Sequence, residues 1–365
     1  MKFYSFVLIL LSSYTSHAAD DCAAVDLNEG TVLSEMSVRD QGKTSTCYAQ
    51  ASALLLEFKE RSAGRKSSLS PFDLALGYKS GLITVFNPLS KSYEVGMALS
   101  EGGALFEAAY DQGIATTECV EYEVEKFTKE TDMTPAQFIK LLQEVKRSSS
   151  VFKTPEEEKA SLSSNSFTCN HQPALDSVMK AGLWAKNTNE VLLQVLAPCT
   201  TRRKKIPRWP YENDYVSSMN SSDRLYKILN RALDHRLPAQ AGLCAQILDE
   251  EKSYSPIKVN TRVNGTGVTD TCGGHAVVVV GRKKVGNECH YMIRNSWGKD
   301  WVSPIGLVCG CRLPNGTYYK DCSVLADQIK NGVLPASLNE QKEVLGCWVS
   351  KKDLDGNLRQ ASALL

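Results

Sequence analysis

The chain has 365 residues, enough for one large domain or two modest ones. Its 42% hydrophobic and 23% charged content is ordinary for a soluble globular protein. A formal charge of +1 gives no reason to invoke a nucleic acid or a membrane surface as partner.

Residues 1–18 read as an export signal. Lys2 supplies the positive start, Phe6 to Leu11 the short apolar core, and Ser16-His17-Ala18 the small-x-small cleavage pattern. That apolar run is too short to span a bilayer. No later run is long enough either, so no membrane anchor is expected. Asp20-Asp21 precedes Cys22 where lipid attachment would need small residues. The mature chain, 19–365, is expected to be secreted or periplasmic, a single domain and a monomer.

The segment from Val38 to Gln50 is a polar turn that delivers Cys47 to the start of an apolar helix, with Gln41 six positions upstream. Ala51, Leu54, Leu55 and Phe58 recur at helical spacing and predict one buried face. Ser45 or Thr46 can cap the first turn. A thiol in that turn is easier to ionise, because the helix dipole and the free N–H groups favour the thiolate. A small buried cysteine on a core helix is the competing reading of Cys47 taken alone.

Further along, Ala136 to Leu142 has a helical pattern. Arg202-Arg203-Lys204-Lys205 is a basic run, read as a solvated loop. The stretch from Cys272 to Gly281 reads as a buried strand led by Gly274-His275. The stretch from His290 to Gly298 reads as a returning strand that ends in Asn295 and Trp297. Gly286-Asn287 supplies turn formers between them. A hairpin centred near Val285 places His275 opposite Asn295, within one register step. An asparagine oxygen there can accept from one ring nitrogen and leave the other to take a proton from a thiol.

Twelve cysteines in an exported chain imply disulfides. With Cys47 set aside an odd number remains, and Cys244, inside an apolar stretch, is the expected unpaired thiol. Cys309, Cys311, Cys322 and Cys347 admit a zinc reading, but they lack a paired C-x-x-C spacing, so disulfides are favoured.

With Gln41, Cys47, His275-Ala276-Val277 and Asn295-Ser296-Trp297-Gly298 in this order, the chain resembles the papain-like cysteine peptidases. Leu69-Ser70-Pro71, Glu101-Gly102-Gly103 and the segment Gly346 to Leu354 extend the resemblance. It implies an α+β, papain-like two-lobed fold: a helical lobe, a β-barrel-like antiparallel lobe and a cleft between them. It also implies roles. Cys47 attacks a peptide carbonyl. His275 takes the thiol proton, forms an ion pair and protonates the leaving amine, and Asn295 orients it. Gln41 and the Cys47 N–H form the oxyanion hole, and Trp297 shields the imidazole. Gly102, Gly103 and Gly274 border the substrate, a peptide or protein. No metal or organic cofactor is implied.

This chain departs from the family at Thr44-Ser45-Thr46-Cys47-Tyr48, where a disulfide cysteine and a tryptophan are replaced. It has no room for an inhibitory propeptide, and it carries insertions at about 122–210 and 302–340. An acyltransferase or transpeptidase with the same triad, and a catalytically silent peptide-binding module, are the alternative readings.

Overall fold

The computed structural model describes residues 22–41, 46–79, 84–87, 92–95, 102–130, 195–215, 222–249 and 274–365. The export signal, the pattern at 136–142 and most of the insertion at 122–210 lie outside them.

The helix that Cys47 opens, α1 (Cys47–Ser62), is the centre of the molecule. The apolar spacing predicts one buried face, yet twelve of its sixteen residues are buried. A helix enclosed on all sides must find partners for its polar side chains. Ser52 donates to Gln240 at 2.7 Å. Glu57 pairs with Arg39 at 2.6 Å and with Arg61 at 2.7 Å. Glu60 pairs with Arg65 and Lys204, both at 2.7 Å. Thr46 does hold the N-cap position, but its side chain makes no cap hydrogen bond.

The helical half continues through α2 (Pro71–Lys79), the hairpin β2–β3 (Thr84–Asn87, Ser92–Val95), α3 (Gly102–Gln112), α4 (Thr117–Glu130) and the short α5 (Ala197–Thr200). The other half is a sheet whose first strand is β1 (Val25–Asp26). Its later strands are β4 (Tyr211–Tyr215), β5 (Ala239–Cys244), β6 (Gly274–Val285), β7 (Glu288–Arg294), β8 (Cys309–Arg312), β9 (Tyr318–Tyr319), β10 (Glu343–Ser350) and β11 (Leu358–Leu364). The order is β4-β11-β5-β6-β7-β10-β8-β9, with β1 added to β6, and every ladder is antiparallel. Helix α6 (Ser222–Asp234) packs on β11, β5 and β4, and α1 packs on β6, β5 and β11. β5 is buried at all six positions, as a strand covered on both faces must be. Short helices α7 (Gln246–Asp249), α8 (Cys322–Lys330), α9 (Ser337–Gln341) and α10 (Lys351–Leu354) complete the set. The fold class is α+β, a helical half beside an antiparallel sheet. Among the described residues the ladder does not close into a barrel.

Several expectations are corrected. The hairpin β6–β7 closes at Val285 and Glu288 around the turn Gly286-Asn287, with Gly286 at φ +60°. Val278 pairs with Arg294, and the register then slips between Val279 and Gly281. Continued outward, that ladder sets His275 opposite Trp297, so the expected pairing with Asn295 is two positions out. A shift of two keeps the same side-chain face, which leaves Asn295 a diagonal neighbour of His275.

Cys244 is disulfide-bonded, not free. The sheet disulfides Cys22–Cys289 and Cys309–Cys347 and the helical Cys119–Cys199 are formed, while Cys47, Cys311 and Cys322 are thiols. The zinc reading loses two of its four ligands to the Cys309–Cys347 bond. The basic run is only half solvated: Arg202 and Lys205 are exposed, while Arg203 and Lys204 are partly buried. Arg203 grips the buried Asp73 at 2.8 Å, Lys204 reaches Glu60, and Lys205 donates to the Asp111 carbonyl at 2.9 Å. The second insertion supplies β8 and β9, which lengthen the sheet beyond β10. β10 ends at Ser350, and the chain returns as β11 between β4 and β5.

Candidate active site

β6 is a central strand with an apolar run from Ala276 to Val280, and it buries its first polar side chain, His275, to 4% exposure. The ring Nε2 lies 2.7 Å from Asn295 Oδ1. The same oxygen accepts the Ser296 N–H at 2.8 Å, which fixes the orientation of the amide. Nε2 therefore carries the proton, and Nδ1 presents its lone pair. Trp297 stacks on the imidazole with centroids 4.6 Å apart and planes 25° apart. Trp301 meets Trp297 edge-on at 5.2 Å.

Cys47, half-buried at the first position of α1, has the backbone N–H groups of Ala276, Tyr48 and Cys47 itself around its thiol. The thiol thus lies one residue along β6 from the imidazole. Burial pushes the thiol pKa up, and the three N–H groups pull against it. Burial also lowers His275 to about 4, against the opposing bond from Asn295. In each group burial works against the charged form, while the N–H groups at the thiol and the asparagine at the imidazole work for it.

Gln41 reaches the same place through the backbone. Its N–H donates to Ser296 O at 2.8 Å, Gly298 N–H donates to Arg39 O at 3.2 Å, and Asp40 bridges Trp297. The strip 39–41 is thereby paired with the strip 296–298. Gly298 has φ +93°, and a Cβ there would sit 3.2 Å from Asp40 Oδ2, so the close crossing needs glycine. Arg39 ties the strip to α1 through Glu57 and to Leu69 O. The Gln41 Oε1 accepts from the Ser296 hydroxyl at 2.6 Å, which leaves the Nε2 end of the amide as its donor.

The fold gathers Gln41, Cys47, His275, Asn295 and Trp297. The expected substrate-side glycines are arranged differently. Gly274 opens β6 opposite Cys244. Gly103 lies in the first turn of α3, where a Cβ would come 2.9 Å from the Tyr211 ring. Gly103 thus admits the Tyr211 side chain of β4. A groove of about 600 Å³ is lined there by Gly103, Ala104, Glu107, Tyr211, Asn213 and Ile228, among others, and neither Cys47 nor His275 lines it. Sequence reasoning missed Ser296, the Ala276 N–H and Trp301. The first two lie inside motifs already singled out, where a hydroxyl beside the asparagine was the available signal.

No family model and no curated protein matches the chain. Solved structures do. Xylellain, a cysteine protease from Xylella fastidiosa, is 16% identical, with 77% of this chain and 76% of that one covered and a TM-score of 0.35. Digestive procathepsin L 3 of Tenebrio molitor larval midgut is 14% identical over 96% and 73%, with a TM-score of 0.40. PepW from Lactobacillus rhamnosis is 13% identical over 93% and 81%, with a TM-score of 0.45.

Proposed function

We propose that this chain is an exported thiol peptidase of the papain-like kind, hydrolysing peptide bonds of a peptide or protein substrate through Cys47, His275 and Asn295. One observation carries the reading. The thiol at the head of α1 lies against the backbone N–H of the residue that follows a buried, asparagine-oriented histidine. A structural cysteine needs neither the helix terminus nor the oriented base.

Cys47 Sγ gives its proton to His275 Nδ1 and attacks the scissile carbonyl carbon. The developing oxyanion faces the Gln41 Nε2 and the Cys47 N–H. Collapse of the intermediate breaks the C–N bond, and Nδ1–H protonates the departing amine. Water, deprotonated by Nδ1, then attacks the thioester and releases the acid and the thiol. Asn295 holds the imidazole tautomer throughout, and Trp297 keeps water from the Nε2–Oδ1 bond. The disulfides Cys22–Cys289, Cys119–Cys199 and Cys309–Cys347, with Cys244 bonded as well, support an oxidising compartment, and among the described residues no helix is long and apolar enough to cross a membrane.

The test is cleavage of a peptide library by the intact protein and by Cys47→Ala. Hydrolysis by the first and none by the second is expected. Equal cleavage by both removes Cys47 from the chemistry.

A further inference from the structure

The two remaining thiols among the described residues are not isolated. Cys311 lies in β8 and is fully buried; Cys322 is the first residue of α8 and partly exposed. Their side chains come together in one place. Both belong to one apolar cluster with Leu313 and Leu325. Two features hold the pair in place from the backbone. Cys311 is fixed by its ladder partners Val344 and Tyr319. Asp321 caps α8 by accepting the Ser323 N–H at 2.8 Å, which sets the direction in which Cys322 enters the cluster.

The geometry points to a further disulfide, Cys311–Cys322, formed on oxidation and stapling α8 of the 302–340 segment to strand β8. Thiols packed in the same cluster, on backbone held by a ladder and a helix cap, can reach bonding distance by side-chain rotation. The step is a thiol–disulfide exchange with an external disulfide such as oxidised glutathione. One thiol of the pair, as thiolate, attacks one sulfur of that reagent and expels a thiolate. The other, as thiolate, then attacks the protein sulfur of the mixed disulfide and expels the second. Two protein thiols lose two protons and two electrons, and the reagent disulfide is reduced to two thiols.

The cross-link does not rest on the peptidase reading. Cys322 also packs against the Cys309–Cys347 disulfide beside Trp301, and Trp301 meets Trp297 over His275. The staple therefore stands at the outer end of a packed run that ends on the imidazole.

The test uses full-length Cys47→Ala protein, so that the active-site thiol cannot form mixed disulfides. After incubation with oxidised glutathione, the protein is denatured, alkylated without reduction and digested. A peptide pair joined through Cys311 and Cys322 is expected, two hydrogens lighter than the separate peptides. A Tm gain on the order of 5 °C is also expected on oxidation, and no gain in the same protein carrying Cys311→Ser and Cys322→Ser. Alkylation of both thiols after oxidation overturns the proposal. So does a bond from Cys322 to Cys309 or Cys347 with Cys311 left alkylated.

Discussion

The two sides of the candidate site are built from opposite materials. The thiol side is polar: Cys47 sits half-exposed among three N–H donors, and the strip carrying Gln41 is clamped by the Arg39–Glu57 ion pair. The imidazole side is apolar and aromatic: His275 is buried beneath Trp297, itself backed by Trp301, with one amide oxygen for company. The difference shows where the protonation cost falls. The polar side can receive negative charge on the thiol and on an oxyanion. The apolar side holds the base neutral until a proton arrives.

Removing the donor on the polar side has the largest expected effect. Gln41→Ala should lower kcat about 10²- to 10³-fold, with little change in KM, because the donor acts on the oxyanion and not on the ground state. Steady-state kinetics on one peptide checks this; an equal rise in KM with kcat unchanged would assign Gln41 to substrate binding.

The apolar side predicts pH behaviour. His275 is lowered to about 4 from a usual 6.5, so the unfolded chain binds the proton more readily. The stability held above pH 6.5 is then lost as the pH falls toward 4, by on the order of 3 kcal/mol from this group. Urea titrations across that range should show the loss, and His275→Gln should abolish this part of it. Activity needs the neutral base and should fall on acidification with an apparent pKa near 4. Trp297→Ala admits water, so that acid limb should move up toward 6.5. An unmoved limb would mean that the aromatic cover does not set the base.

The smallest effect belongs to the join between the two sides. Ser296→Ala deletes one hydrogen bond to Gln41, worth about 1 kcal/mol or roughly a fivefold loss in kcat. Adding this change to Gln41→Ala should cost little more, since the serine acts through the glutamine.

Much of the site was legible because its parts are local. A capped apolar helix, a strand led by histidine and a turn at Gly286-Asn287 each announce themselves within a dozen residues. The errors came from what distance decides. The turn sits further along than expected, and the one-residue slip between Val279 and Gly281 brings the pairing back to two positions out, which parity forgave. Arg203 looked solvated because its partner Asp73 is 130 residues away. α1 displayed one apolar stripe, yet the fold encloses it, and the ion pairs that make this tolerable join it to Arg39 and Lys204. β11 was not read as a strand at all. Buried on both faces, it carries Gln360 and Ser362, whose partner Asn213 lies on β4.

The most direct measurement is covalent. The account predicts that a thiol-directed peptidyl epoxide, followed by digestion and mass spectrometry, labels Cys47 and leaves Cys311 and Cys322 unlabelled. It also predicts that His275→Ala slows that labelling sharply at neutral pH. Absence of label on Cys47, or labelling at an equal rate without His275, would contradict it.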